Sequence, residues 1–282
     1  MKLLRGLIWL WLCASLLVSC GGSKAPSVEN AYENRVKDFT HMGVKAMSEE
    51  RWQPAVLAFS RALQMAQLLG DVSLEVRSWY NLGMAYRGLK AESKADGAFK
   101  RAFDLADQHQ LTVSRQRAHI QLALLHRHEP DHAWQLPAWD KSWPMDLKLS
   151  WASCAREQGD MSGAKQGYLD VVAAKVANGS GYVMQGQAMM GLAWLVKQQG
   201  DELDSARWAE KAGMMYRKVG APRMSAHALL FLSDNRSRTV MQRIDAARRA
   251  KVIYEILQDK EGAMKAAHLL NALELSEGVK RE

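Results

Sequence analysis

Apolar residues return at intervals of three and four through most of this chain, and strand-like alternation of apolar and polar positions is nearly absent. Proline is scarce, with 6 residues in 282. The pattern predicts consecutive amphipathic helices and an all-α protein. The N-terminus departs from it. Behind Lys2 and Arg5 comes an apolar run without helical period: Leu7, Ile8, Trp9, Leu10, Trp11, Leu12, then Leu16, Leu17 and Val18. A stable membrane span wants about 20 apolar residues, and this run is shorter. A charged start, a short apolar run and small residues at its end are the physical signature of an export signal. The helical pattern resumes after Gly21-Gly22-Ser23-Lys24-Ala25-Pro26-Ser27, which reads as a flexible tether.

The helical part repeats itself. Phe39, Met42, Gly43, Ala46, Ala55, Phe59 and Ala62 recur 40 residues later as Trp79, Leu82, Gly83, Tyr86, Ala95, Phe99 and Ala102, with every internal spacing kept. Leu122-Ala123, Trp151-Ala152, Leu192-Ala193 and Leu232-Ser233 continue the series with decreasing fidelity. The small residues thus stand at 43, 83, 123, 152, 193 and 233, spaced by 40 or 41 except for one interval of 29. Gly159-Asp160 before Ala164, and Gly200-Asp201, fall where turns are needed. A weaker second helix of the sixth unit lies around residues 246–257, and 260–277 predicts a terminal helix.

This pattern resembles the tetratricopeptide repeat, a helix pair in which small residues let two antiparallel helices approach and aromatics fill the gaps between units. The resemblance implies an all-α, tetratricopeptide-like α-solenoid of about six helix pairs plus a C-terminal capping helix. The family's usual repeat is about 34 residues, so these helix pairs are long.

The shortened interval coincides with His126, His128, Pro130, His132, Trp134, Pro137, Trp139, Trp143 and Pro144. Prolines forbid a long regular helix, so the third unit is expected to have a short or broken second helix, irregular over 128–144. Trp134, Trp139, Trp143 and Trp151 then form either an aromatic plug in the missing volume or an exposed recognition patch.

Cysteine usage and charge complete the N-terminal reading. Leu17-Val18-Ser19-Cys20-Gly21-Gly22 resembles the lipobox of bacterial lipoproteins. That resemblance implies cleavage of a signal peptide, 1–19, and lipidation of Cys20 by a thioether diacylglycerol and an amine-linked acyl chain. Residues 20–30 are then lipidated cysteine and tether, and 31–282 the helical domain. Several acyl chains hold a protein to a bilayer stably where one does not. Gly21 resembles lipoproteins sorted to the inner leaflet of the outer membrane, facing the periplasm. Cys13 leaves with the signal and Cys20 takes lipid, so Cys154 remains alone and no intramolecular disulfide is expected despite an oxidising compartment. The formal charge is +8; without Lys2 and Arg5 it is +6, all of it in residues 205–282, with 15 Lys/Arg against 9 Asp/Glu. A basic end suits an acidic partner or anionic headgroups. Nucleic acid is not expected of an exported protein.

No Walker-type loop, nucleophile elbow or His-Glu-x-x-His motif is present. Cys154 lies on an apolar helix face, as a buried cysteine does. His119, His126, His128 and His132 come nearest to a metal cluster, but Pro130 breaks the helix between the last two and no carboxylates are spaced to join them. Neither a catalytic residue nor a metal or other cofactor is expected. The rival class is a metal-binding or enzymatic protein using this His- and Trp-rich third unit.

In the resemblance, first helices line the inner groove. That register places Lys37 and Thr40 in unit one, and Arg77, Tyr80, Met84 and Arg87 in unit two. Arg117, Gln121, Leu124 and Arg127 follow, then Arg156, then Met190, Trp194 and Lys197. Asn81 is the one position reminiscent of the carboxylate clamp of some tetratricopeptide domains. Arg87, Arg127, Arg156 and Lys197 share one position across four units, and Lys37, Arg77 and Arg117 another across three. Stacked, they form basic columns that hold an acidic peptide segment or C-terminal carboxylate, or else pair with neighbouring acids. The expected function is a non-catalytic, membrane-anchored scaffold for other envelope proteins. Among lipid-anchored relatives, pilotins for pilus secretins lead; regulators of cell-wall enzymes and outer-membrane insertion components are alternatives.

Overall fold

The computed structural model describes residues 31–128 and 134–279. Cys20 and residues 1–19, where an export signal is expected, lie outside the described residues. Among those described there are twelve helices and no strand. They are α1 (Ala31–Ser48), α2 (Trp52–Leu69), α3 (Val72–Gly88), α4 (Glu92–Gln108), α5 (Thr112–Leu125), α6 (Met145–Glu157), α7 (Met161–Ala173), α8 (Gly179–Gln198), α9 (Glu202–Lys218), α10 (Pro222–Ser233), α11 (Val240–Ile256) and α12 (Lys260–Val279). Each packs chiefly on its neighbours in sequence, which is the arrangement of a solenoid.

The 40-residue period follows from helix length. The first four helices have 17 or 18 residues, joined by turns of two or three. Eight turns along the described residues share one geometry: a left-handed residue, followed by an N–H that reaches back five residues to a helix carbonyl, as Ala91 does to Tyr86 at 2.9 Å. Four of the left-handed residues are glycine, Gly70, Gly159, Gly200 and Gly220; the others are Glu50, Lys90, Gln110 and Gln258. A side chain in this region carries steric strain. Gln110→Gly should therefore raise stability by about 0.5–1 kcal/mol, read as a higher urea midpoint at unchanged slope; a lower midpoint would contradict the turn geometry. Short polar side chains close the helix starts: Asp71, Asp160, Asn178 and Asp201 each accept from an N–H three residues on, and Thr239 with Gln242 forms a reciprocal capping box.

Aromatic rings over glycines hold the stack. Phe59 lies on Gly43, Phe99 on Gly83, Tyr168 on Gly191, Tyr216 on Gly186 and Tyr254 on Gly262. A Cβ at Gly83 would stand 2.5 Å from the Phe99 ring, closer than any carbon contact allows.

The third unit is more altered than expected. Among the described residues between α5 and α6 there is no helix: 134–140 is irregular and a turn leads to Pro144, which caps α6. Two first helices, α5 and α6, therefore pack directly, which is why the interval falls to 29. The architecture is five helix pairs, one unpaired helix and a terminal helix. Trp151 is buried in the largest core cluster, with Trp134, Leu136, Trp139 and Trp143 packed partly buried against it. Its indole N–H donates to the Pro137 carbonyl at 2.7 Å. Trp139 lies 4.9 Å from Trp151 and 6.0 Å from Trp143, while Trp134 packs edge-on to Phe103 at 5.0 Å. The tryptophans form the plug and not an exposed patch.

The solenoid curves until its ends meet. Glu50, in the α1–α2 turn, stands 3.7 Å from Arg223 of α10, which also pairs with Asp259 in the α11–α12 turn. A cleft of about 580 Å³ opens at this closure, lined by Glu50, His227, Phe231, Tyr254, Asp259 and Lys265 among others.

Candidate functional site

The residues expected in the groove come from first helices at spacings of three and four. Tyr80, Met84 and Arg87 share one face of α3, and Arg117 and Gln121 one face of α5. The structure brings them together. Arg87 donates to the Gln121 side-chain oxygen, and Gln121 is 4% exposed. Burial lowers the Arg87 pKa from its ordinary value. Burial also raises that of the Tyr80 hydroxyl, against the opposing pull of Arg87 and then Arg117. The Tyr80 ring lies 5.7 Å from Phe99, and Met84 packs on the cluster of Ala95, Phe99 and Leu122. Asn81 is half-buried beside them, and Arg77 is exposed.

Acidic side chains answer these bases. Arg117 meets Asp146 of α6 through Nε at 2.8 Å and Nη2 at 2.7 Å. Arg127 stands 3.9 Å from Glu157 and donates to the Leu124 carbonyl at 2.8 Å. Arg156 approaches Glu157 at 3.5 Å, its guanidinium 5.0 Å from the Trp194 ring centre. Lys197 donates to Asp234 at 2.7 Å and lies 5.1 Å from the Phe231 ring. Lys37 pairs with Glu33 on its own helix at 3.0 Å. Five of the seven column positions thus meet an acid: Arg117, Arg127 and Lys197 on the next first helix or at its end, Lys37 and Arg156 on their own helix. Arg87 meets Gln121 instead, and Arg77 is exposed. Exposed pairs of this kind contribute little stability individually, but they lower the net charge of the columns. Reading the sequence did not find Asp146, Glu157 or Asp234. Their only signal is distance along the chain from the base each meets, and that becomes legible once the 29-residue step is known.

The remaining candidates for chemistry are held structurally. Cys154 is buried, which pushes its thiol up to about 12, far from a reactive thiolate. His126 Nε2 lies 2.7 Å from Asp96 Oδ1. Burial tends to raise the Asp96 carboxyl, but bonds from Lys100 and His126 outweigh it and hold the pKa down. His119 packs between Phe103 and Trp134, and burial lowers its pKa. His128 is exposed; His132 lies outside the described residues. Among the described residues, no three His, Cys, Asp or Glu side chains are placed to hold a metal, and no helix is long and apolar enough to cross a membrane.

No protein-family model and no curated protein matches the chain. Solved structures do. The apo form of the quorum sensor NprR from B. thuringiensis matches with a TM-score of 0.48 and 12% identity, over 87% of this chain and 78% of that one. Pseudomonas aeruginosa pilF matches with 0.39 and 10%, over 90% and 100%. The Rap conjugation gene regulator of plasmid pLS20, in complex with the Phr* peptide, matches with 0.45 and 14%, over 92% and 66%. At these identities the likeness concerns fold alone. By its own helix hairpins, left-handed turns and glycine–aromatic contacts, this chain has a tetratricopeptide-like α-solenoid fold.

Proposed function

We propose that the chain is a non-catalytic scaffold, lipid-anchored at Cys20 in the inner leaflet of the outer membrane, that binds other cell-envelope proteins. Its task is to assist assembly or localisation of an envelope complex, pilotin-like for a pilus or secretion secretin. What supports the reading is the joining of a lipobox-like sequence at Cys20 to a solenoid of consecutively packed helices. Stacked repeats make extended surfaces suited to a protein partner.

Radiolabelled palmitate fed to cells should label the wild-type chain and not Cys20→Ser, and the serine variant should leave the outer-membrane fraction. Equal labelling of the two would remove the anchor. Crosslinking of the full chain in intact cells should trap a complex with an envelope protein, and a secretin multimer should fail to assemble in the deletion strain. Absence of any crosslinked complex would overturn the scaffold reading.

A further inference from the structure

Part of the charge excess of residues 205–282 lies on the other side of α10, between the second helices α9 and α11. Two adjoining cavities there, of about 280 and 230 Å³, share Arg217, Leu229 and Arg249 in their linings. Ala228, Leu229 and Leu232 of α10 are the apolar floor, and Arg238 closes one end. Gly213 of α9 borders the first cavity, and a Cβ there would meet only Ala228 and Arg217, both at 3.6 Å. Unlike Gly83, this glycine is not required by a ring packed on it; it leaves the groove deeper. Met214 stands exposed on the rim, and Ile253 lines the second cavity.

The electrostatics are one-sided. Three guanidinium groups line the groove against a single carboxylate, Glu210, which pairs with Arg238. The Arg238 side chain is 21% exposed, and its buried Nε has no partner among the described residues. Arg249 reaches Asp245 only at 3.5 Å, with both side chains more than half exposed, so that pair neutralises it weakly. Arg217 is exposed.

We infer that this groove is the protein's acid-binding surface. It takes a segment of a partner protein in which carboxylates flank an apolar side chain. The apolar side chain seats over Leu229 and Gly213, and the carboxylates accept from Arg217 and Arg249. A partner segment fits better than a membrane surface. The floor lies between two helices, where a peptide side chain reaches and a flat headgroup layer does not. The inference rests on the scaffold reading.

The probe is a fluorescein-labelled synthetic peptide in which glutamate alternates with leucine, titrated into the full chain and followed by anisotropy. Its lysine–leucine counterpart and phosphatidylglycerol vesicles serve as comparisons. The glutamate peptide should bind and the lysine peptide should not. Arg217→Glu with Arg249→Glu should weaken binding by about tenfold or more at unchanged melting temperature, since both side chains are exposed. Arg127→Glu, on the other face, should leave binding intact. Undiminished binding in the double variant, loss in Arg127→Glu instead, or binding to vesicles without binding to the peptide would each overturn the groove. A cellular crosslinked complex that persists in Arg217→Glu/Arg249→Glu discards the groove and keeps the scaffold; no complex in the wild type discards the scaffold itself.

Discussion

Phe99→Ala should destabilise the chain by about 3–5 kcal/mol, as removal of a fully enclosed aromatic does. The ring has 0% exposure and fills the space that Gly83 leaves between α3 and α4. Gly83→Ala, which pushes a methyl into the same ring, should cost about 1–3 kcal/mol through overpacking. The two losses should not add. With the ring gone, the alanine at 83 has room and refills part of the cavity, so the double variant should be more stable than the sum of the singles predicts. Urea unfolding of the four proteins measures this. Strict additivity would mean that the ring and the glycine are not one packing unit. The same contact recurs at Gly43 with Phe59 and Gly191 with Tyr168, so the pair stands for how most of the stack is held.

Trp151→Ala should be equally damaging, about 3–5 kcal/mol, but its damage should be localised. Trp151 is the centre of the plug where a second helix is missing, and α5 rests directly on α6 there. In a solenoid each unit is stabilised by its neighbours alone, so a weakened junction divides the stack. Unfolding should separate into two transitions, α1–α5 and α6–α12, and limited proteolysis should cut first within 134–144. Trp151→Phe keeps an aromatic ring, though a smaller one, and orphans the Pro137 carbonyl, which by itself costs about 1–3 kcal/mol. Trp139→Phe should cost less than Trp151→Phe, because the Trp139 indole N–H is buried with no partner among the described residues. A single transition in Trp151→Ala, or cleavage elsewhere, would show that the plug does not join two stacks.

Much of this was readable from spacing. Gly43, Gly83 and the aromatics Phe59 and Phe99 recur at one interval because each encodes a contact between adjacent helices. Gly159-Asp160 and Gly200-Asp201 mark turns because a left-handed residue and a helix cap are local needs. Pro137 and Pro144 announce an interrupted second helix because proline cannot donate to a helix ladder. The left-handed turns at Glu50, Lys90, Gln110 and Gln258 were not readable; their strain is offset by packing of the helices on either side. The groove residues were assigned to one face without their partners. Gln121 looked like a ligand contact and is the buried acceptor for Arg87, while Asp146, Glu157 and Asp234 pair with Arg117, Arg127 and Lys197 of the basic columns.

By itself the sequence determined the helical class, the repeat and its period and the interrupted third unit, all set by neighbours within about one helix pair. Only the tertiary structure decided which charges cancel, where the uncancelled arginines collect, and that Glu50 meets Arg223 and Asp259 across the whole chain. Those depend on how each unit is rotated on the last. Small rotations accumulate over many units, so the positions of remote side chains follow from the sum of all the packing contacts and from no single stretch of residues.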